Sequence, residues 1–298
     1  MKKILLVATM VAVCGFTLTA GGNSSRKNST KLPIAEEYVM GNVSQAELSN
    51  TNFAMDVADA DAVVLEEIIE PRIWIWEYMD DMDVPQYVYT RITRKIKILN
   101  DAGVRYATIE IPYYKHGDEN VCIIDEVSGY IYSQANGEVV KTSLKLSDCK
   151  YERTNAKEGI MKIVFPTAKA GDVIEYSYEC TESIKNNKLT DFKYGGELPI
   201  LSSRYQIFLD DSADGDCSAF TFGEMDIKMT RYEYVRRGKI GGSRPQLGSS
   251  VGISGSTTAP RTKRNSGEMI RFEAKNIQPK TDGKEDSGVT VLLTYKKS

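Results

Sequence analysis

Residues 127–141 read Val-Ser-Gly-Tyr-Ile-Tyr-Ser-Gln-Ala-Asn-Gly-Glu-Val-Val-Lys, and this stretch carries the strongest local signal for the fold of the chain. Asn136-Gly137 stands between two runs that are rich in β-branched and aromatic residues. Because Asn and Gly tolerate the positive φ of a type I′ turn, a dipeptide of this kind in such a setting predicts a β-hairpin. Two further strands are predicted over 161–166 and 173–180. This part of the chain therefore predicts the core of a sheet.

The same alternation of apolar and polar residues continues on both sides of this core. Before it, strands are predicted over 62–78 and 88–98, and a turn at 100–103 predicts a return strand over 106–111. After it, the strand signal recurs at four places, which are 199–209, 220–235, 269–274 and 289–295. The sequence therefore predicts an all-β fold.

Two segments carry more specific expectations. In the strand over 88–98, alternate positions place Lys95 and Lys97 on a face that we expect to be open to water. Ser44-Gln45-Ala46-Glu47 fits a capping box, in which the Ser44 side chain accepts a backbone N–H and Glu47 reaches back to the cap residue. We therefore expect one short N-terminal helix over about 45–50.

The first twenty residues have the composition of a secretory signal peptide. Lys2 and Lys3 precede a short apolar stretch, and Leu18-Thr19-Ala20 provides a small-residue cleavage site. We expect cleavage after Ala20 and a periplasmic or secreted location, with a lipoprotein anchored through Cys14 as the alternative. Since no other stretch holds about 18 consecutive apolar residues, we expect no membrane span after signal removal.

The remainder divides by composition into a tether and one domain. Residues 21–35 are polar and aperiodic, which predicts a disordered tether, and residues 36–298 are predicted to form a single β domain. A Gly/Ser-rich stretch near 238–267 predicts a mobile loop. The 38 Lys+Arg and 41 Asp+Glu residues give a formal charge of −3, which offers no basic excess for nucleic acid. Four basic residues in and before the loop form a candidate surface for an anionic partner: Arg236, Arg237, Lys239 and Arg244.

Four cysteines follow the predicted signal, and they are Cys122, Cys149, Cys180 and Cys217. In an oxidising compartment four cysteines allow three disulfide pairings, and the spacing does not choose among them. The alternative is that the thiols stay free and pack as small hydrophobic groups, as expected for Cys180 at the end of an apolar strand face.

Several short motifs follow one another in a characteristic order: 60–65, 95–103, 136–141, 165–176, and Leu198-Pro199-Ile200 followed by Tyr205. Their order resembles a domain of unknown function at the N-terminus of exported bacterial proteins that carry a transglutaminase-like domain downstream. The resemblance extends over about 36–296 and implies an elaborated antiparallel β-sandwich. It departs from the family at 189–194, where the family is richer in aromatic residues, and no catalytic domain follows in this sequence.

Cysteine catalysis would need a thiolate, an imidazole and an orienting carboxylate or amide within reach. His116 is the only histidine, and it precedes all four cysteines that follow the signal, whereas transglutaminases and papain-type enzymes place cysteine first. One histidine and no C-x-x-C spacing also argue against a zinc site. We therefore expect a chain that is not an enzyme and that needs no cofactor.

Two sets of residues are candidate ligand sites. Asp210, Ser212 and Asp214 have the spacing of oxygen ligands for Ca²⁺, although Thr221 stands where a bidentate Glu belongs, and an ordinary Asp-Gly turn is the alternative. The aromatic residues of the strand that ends near 78 share one face and form a candidate platform for a glycan or a peptide: Trp74, Trp76 and Tyr78. The alternative is a central strand that is buried on both faces.

These observations lead us to expect an exported, non-catalytic β-sandwich module that acts in binding or assembly with a protein or glycan partner in the cell envelope. One alternative is an accessory subunit of a split transglutaminase-like or peptidase system whose catalytic chain is separate. Another is a carbohydrate-binding module that uses Trp74 and Trp76.

Overall fold

A computed structural model describes residues 15–19, 33, 38–73, 87–114, 123–155, 158–183, 188–210, 215–236, 265–281 and 285–295. Fifteen strands, one short α-helix and two 3₁₀ turns account for the regular structure of these residues. The strands form three sheets, so the prediction of an all-β fold with one short N-terminal helix is confirmed.

The largest sheet has eight strands, with the two strands of the central hairpin at one end. In spatial order, and with labels that follow the chain, these are β13 (Lys228–Arg236), β14 (Asn265–Ile277), β11 (Ile200–Asp210), β2 (Ala62–Ile73), β3 (Tyr87–Ile98), β9 (Val173–Ser183), β5 (Ile123–Ala135) and β6 (Glu138–Ser143). β11 runs parallel to β2, and the other pairings described in this sheet are antiparallel.

Two smaller sheets complete the fold. One contains β1 (Gly15–Thr19), β12 (Gly215–Phe222), β15 (Gly288–Tyr295) and β10 (Phe192–Lys193), in that order. The other contains β4 (Thr108–Tyr114), β8 (Glu158–Val164) and β7 (Cys149–Arg153). β1 lies within the segment that the sequence predicts to be a signal peptide.

Both small sheets pack against the same face of the large sheet. Phe165, just after β8, contacts the Tyr176 ring on β9, while Phe192 on β10 stacks on Tyr205 of β11 at 4.7 Å between ring centroids. The apolar side chains between the sheets form one continuous buried cluster. Each fully buried apolar side chain of this kind contributes about 1.5–3 kcal/mol. The architecture is therefore a sandwich, as expected, with one broad layer and one divided layer.

The central hairpin has the predicted geometry. Asn136 and Gly137 have φ values of 53° and 83°, and Ala135 pairs with Glu138 across the turn. Because both central residues are left-handed, the turn matches the twist of β5 and β6 and fixes their register.

Two connections differ from the sequence-based expectation. The turn at 100–103 does not return the chain beside β3, because Asp101–Ala107 forms a 3₁₀ helix whose Asn100 cap accepts the Gly103 N–H at 3.0 Å. The next strand, β4, consequently joins a small sheet and pairs with β8. Strands β8 and β9, which follow each other in sequence, also lie in different sheets.

The helix α1 (Gln45–Ser49) begins at the predicted cap, where the Ser44 side chain accepts the Glu47 N–H. We call residues 38–50, which include this helix, the strap. The strap packs on the face of the large sheet opposite the small sheets, and its Val43 and Leu48 are buried there against Tyr132 and Val173. The large sheet is consequently covered on both faces at this end.

This covering corrects the expectation that one face of β3 is open to water. Lys95 and Lys97 are only 7% and 4% exposed, because the strap lies over them. The alternation in the sequence correctly divides the two faces of the strand, but it does not reveal what covers the polar one.

Replacement of Gly103 by Ala is expected to destabilise the fold, since an added Cβ would lie 2.0 Å from the Asp61 backbone oxygen. That oxygen also accepts the Leu99 N–H, so it cannot move away freely. Overpacking of this kind costs about 1–3 kcal/mol, measurable by denaturant unfolding. Gly196→Ala is the matched control, because nothing lies within 4 Å of its Cβ position. Equal stability of the two variants would contradict this account of the turn.

Candidate functional site

The face of the large sheet opposite the small sheets carries an unusual number of charged side chains, and we call it the polar face. Its residues alternate with the core residues along each strand, so that Glu175 stands on this face and Tyr176 in the core. Cross-strand neighbours have opposite charge, as with Lys95 beside Glu175 and Arg91 beside Glu179. This arrangement places the charges in rows that run across the strands.

The covered half of the polar face is organised around Glu175, which is fully buried. Its carboxylate accepts hydrogen bonds from the Tyr38 hydroxyl at 2.5 Å, the Gly41 N–H at 2.7 Å and the Tyr132 hydroxyl at 2.7 Å. Burial, the hydrogen bond to Glu175 and the charge of Glu175 together raise the pKa values of Tyr38 and Tyr132. Both phenols therefore remain donors over the physiological pH range.

Two lysines on the same half donate hydrogen bonds to the strap. Lys95 Nζ lies 2.8 Å from Glu47 Oε1, so the Glu47 side chain pairs with β3 and not with the cap residue as the capping box predicts, while the Glu47 N–H donates to the Ser44 side chain. Lys97 donates to the Leu48 carbonyl and, at 2.6 Å, to the Gly171 carbonyl. Burial lowers the pKa of Lys97, and the charge of Asp172 opposes this effect. The covered half is thus a closed polar network.

The open half of the polar face begins at Glu179, which stands four residues beyond Glu175 on β9. Its carboxylate accepts two hydrogen bonds from Arg91, with Nε at 2.9 Å, and lies 3.8 Å from Arg72. Arg91 also lies 3.7 Å from Glu126, whose side chain is 64% exposed. Because the Arg91 side chain is 30% exposed, part of its planar donor edge remains available to a ligand.

A second cluster continues the open half toward β13. Arg271 donates to Gln206 at 2.5 Å and lies 4.7 Å from the centroid of the Tyr232 ring. Gln206 in turn donates to Glu70 at 3.1 Å. Guanidinium groups that are fixed by such neighbours lose little conformational entropy when they bind carboxylate, amide or hydroxyl groups. The open half is therefore an ordered surface of donors and acceptors, with an aromatic ring at one end.

A separate ion pair lies on the opposite face of the same strands, between the sheets. Glu67 is buried and accepts hydrogen bonds from Arg94 at 2.8 Å and from Ser203 at 2.6 Å. Burial lowers the pKa of Arg94, but the nearby Tyr176, Glu67 and Tyr178 together outweigh this and raise it. The Arg94 side chain is nevertheless 42% exposed, so water reaches part of the guanidinium side of the pair. This pair ties β2, β3 and β11 together.

An open groove of about 370 Å³ lies beside the 3₁₀ turn and is lined by several acidic residues. Arg105 pairs with Asp61 there at 3.0 Å. Among the described residues, no group of three or more His, Cys, Asp or Glu side chains could hold a metal ion. The described part of the chain also contains no helix that is long and apolar enough to cross a membrane.

Most of the candidate site residues that were predicted from the sequence lie outside the described part of the chain. Trp74, Trp76, Tyr78, Ser212, Asp214, His116 and Cys122 lie outside the described residues, as do Arg237, Lys239 and Arg244. Asp210 ends β11 and Arg236 ends β13, and only the backbone of each is described. Neither the predicted calcium site nor the aromatic platform is tested by these positions.

The described cysteines are Cys149, Cys180 and Cys217, and no disulfide joins any two of them. Cys180 and Cys217 are buried, and burial raises the pKa of Cys217 to about 12. Burial and the charge of Asp148 also raise the pKa of Cys149. The Cys149 and Cys217 thiols are therefore protonated at neutral pH, which is the opposite of what an activated nucleophile needs.

The charge pattern of the sequence contains a signal for the polar face. Arg91, Lys95 and Lys97 alternate along β3, while Glu175 and Glu179 alternate along β9. Opposite charges at period two on two strands indicate paired rows of charge, provided that the strands are neighbours. That adjacency is a property of the tertiary structure.

Tyr38→Phe is expected to loosen the strap, since it removes one of three donors to a buried carboxylate. A hydrogen bond to a charged group contributes about 1.5–3 kcal/mol, and we expect a loss of about that size in unfolding free energy. Faster hydrogen exchange over 38–50 should accompany it. Tyr130→Phe is the matched control, because the Tyr130 ring lies beside Lys141 and its aromatic contact survives. Unchanged exchange in Tyr38→Phe would show that Glu175 does not hold the strap.

Comparison with known proteins finds one family match, over part of the chain. Residues 86–220 match DUF3857, a domain of unknown function with a solved structure, and no curated protein matches the chain. This match agrees with the resemblance to a domain of unknown function that the motif order suggested.

Two solved structures are similar at low sequence identity. One is a "putative protease" from Parabacteroides distasonis, with 12% identity, a TM-score of 0.49, and coverage of 79% of this chain and 41% of that one. The other is a "putative nutrient binding protein" from Legionella pneumophila, with 8% identity, a TM-score of 0.31, and coverage of 80% and 69%. The chain thus spans less than half the length of the first of these proteins and resembles a DUF3857 domain over residues 86–220.

Proposed function

We propose that this chain is a non-catalytic module of the bacterial cell envelope, exported by its N-terminal signal, that binds a protein or glycan partner through the open half of the polar face. The observation that carries this proposal is the row of fixed, partly exposed arginines and carboxylates from Glu179 to Arg271. A sheet surface with such rows of side chains suits an extended polar partner that lies across the strands.

The partner chemistry follows from the groups that are offered. Arg91 and Arg271 offer planar N–H donors, Glu126 offers acceptors, and Tyr232 offers a ring face. Arginine and tyrosine are the residues that most often carry interface energy, because they combine hydrogen bonding with a large apolar area. Sugar hydroxyls and the amides or carboxylates of a peptide satisfy this set, and both occur in envelope polymers.

A non-catalytic role is supported by the state of the described thiols. A cysteine enzyme requires a thiol of lowered pKa beside a base, whereas burial raises the pKa of Cys217 and of Cys149. Cys180 is buried at the end of an apolar strand face. These cysteines fit a packing role better than a nucleophilic one.

A second candidate function is an accessory subunit of a transglutaminase-like or peptidase system whose catalytic chain is separate. The match of residues 86–220 to a DUF3857 domain favours it, together with the motif order that resembles domains accompanying transglutaminase-like enzymes. In that case the partner on the polar face would be the catalytic chain. The two candidates share the same surface and differ in the partner.

The binding proposal predicts a specific loss of affinity when the open half is altered. We expect Arg91→Ala combined with Arg271→Ala to weaken binding to isolated peptidoglycan, or to a cross-linked envelope partner, by about tenfold or more. Sedimentation assays and cross-linking in the native envelope measure this. Arg153→Ala, which removes an exposed arginine from β7 on a small sheet, is the matched control. Equal binding by the double variant and the control would rule out the polar face.

The thiol account makes a separate prediction. At pH 8 the native chain is expected to label at Cys217 and Cys180 only after denaturation, because both thiols are buried and that of Cys217 is protonated. Iodoacetamide labelling followed by peptide mass spectrometry resolves each cysteine. Cys149, which is partly exposed, serves as the internal comparison and should label faster than either. Rapid labelling of Cys217 in the folded chain would indicate an activated thiol and contradict the non-catalytic role.

A further inference from the structure

The edges of the three sheets are protected unequally. An exposed edge strand invites pairing with another chain, and proteins guard such edges with charges, proline or very short strands. Most edges described here have one of these devices. β13, β6 and β7 carry several charged residues each, β4 contains Glu110 and Pro112, and β10 has only two residues.

β12 has none of these devices along most of its length. Its residues 217–222 are Cys-Ser-Ala-Phe-Thr-Phe, with no charge and no proline. On one side β12 pairs with β15 at all eight positions. On the other side, its one pairing partner within the described part of the chain is β1, whose residues Gly15–Thr19 pair with residues 216–220.

The covering strand comes from the segment that the sequence predicts to be removed on export. We propose that, in the exported chain, the free edge of β12 accepts an extended, uncharged segment of a partner protein as an antiparallel strand. This inference relies on the export that forms part of the proposed function, but it does not rely on the polar face. Strand addition to an open edge is a general mode of peptide recognition.

The register of β1 defines what the edge accepts. Phe16 stands opposite Ala219 and Leu18 opposite Cys217, so the two larger apolar residues of β1 pair with the two small residues that are fully buried. Residues directly opposite in an antiparallel pair share a face of the sheet. The edge therefore suits a strand of at least five residues with large apolar side chains at two alternate positions.

A second copy of β12 meets this requirement less well. Two copies of β12 can pair as antiparallel strands with Cys217 and Ala219 on the core face. In that arrangement, each of these two residues would stand opposite another small, core-facing residue of β12. No large apolar side chain would then be added to the core at those positions. A shift of register by one residue would turn the buried face outward. These constraints favour a partner strand with larger alternating residues.

The test uses the chain as it is exported by the native cell. Mass spectrometry first determines the N-terminal residue of that chain. We expect it to begin beyond Thr19. A mature chain that retains residues 15–19 would overturn the proposal, because β1 would then be a permanent strand.

A synthetic peptide of residues 15–20, Gly-Phe-Thr-Leu-Thr-Ala, with a fluorescent label on its C-terminus, then serves as the probe. We expect saturable binding by fluorescence anisotropy and slower hydrogen exchange over 216–221. A peptide with Thr17→Pro, or one with Phe16→Lys and Leu18→Lys, should bind at least about tenfold more weakly, since proline interrupts the ladder and lysine does not fit an apolar position. All changes lie in the peptide, so the folding of the protein is not affected.

Two further measurements separate the possible outcomes. The chain with Arg91→Ala and Arg271→Ala should bind the peptide as the unaltered chain does, and a loss there would place the peptide on the polar face instead of β12. Analytical ultracentrifugation should show a monomer. A dimer that excess peptide dissociates would assign the edge to a second copy and overturn the partner strand, as would equal binding of all three peptides.

Discussion

Glu175 is a carboxylate with no access to water, located on β9, an interior strand of the large sheet. An unpaired charge in such a position costs several kcal/mol, and the protein avoids this cost by directing donors at both of its oxygens. Two of the three donors come from the strap and one comes from β5. The carboxylate is therefore satisfied only when the strap is docked, which makes the position of the strap a consequence of one buried charge.

The same constraint explains why the two halves of the polar face differ. Beneath the strap, Lys95 and Lys97 are also removed from water, and the strap supplies the Glu47 carboxylate and the Leu48 carbonyl that they need. Beyond the strap, Glu179 and Arg91 satisfy each other within the sheet and remain partly exposed. One row of charges is thus used for internal structure, while its continuation remains partly exposed to solvent.

The divided layer on the opposite face has its own consequence. Because two small sheets cover one large sheet, the fold has more free edges than a simple sandwich of the same size would have. Charges and Pro112 protect most of these edges, but β12 carries none of these devices from Cys217 to Phe222. The polar face and the side of β12 that β1 covers in this structure are different kinds of surface: one has side chains in fixed rows, and the other has main-chain groups beside an apolar core.

The sequence by itself determined the local elements, because these depend on neighbouring residues. Asn136-Gly137 specified the hairpin, Ser44 specified the start of the helix, and alternation located most strands within a few residues. It did not determine that β4 leaves β3, because the Asn100 cap competes with a tight reversal there. It also could not show that Lys95 and Lys97 are covered, since Tyr38 and Glu175 are 137 residues apart and meet only in the folded chain. Alternation distinguishes the two faces of a strand, and only tertiary structure decides what lies against each of them.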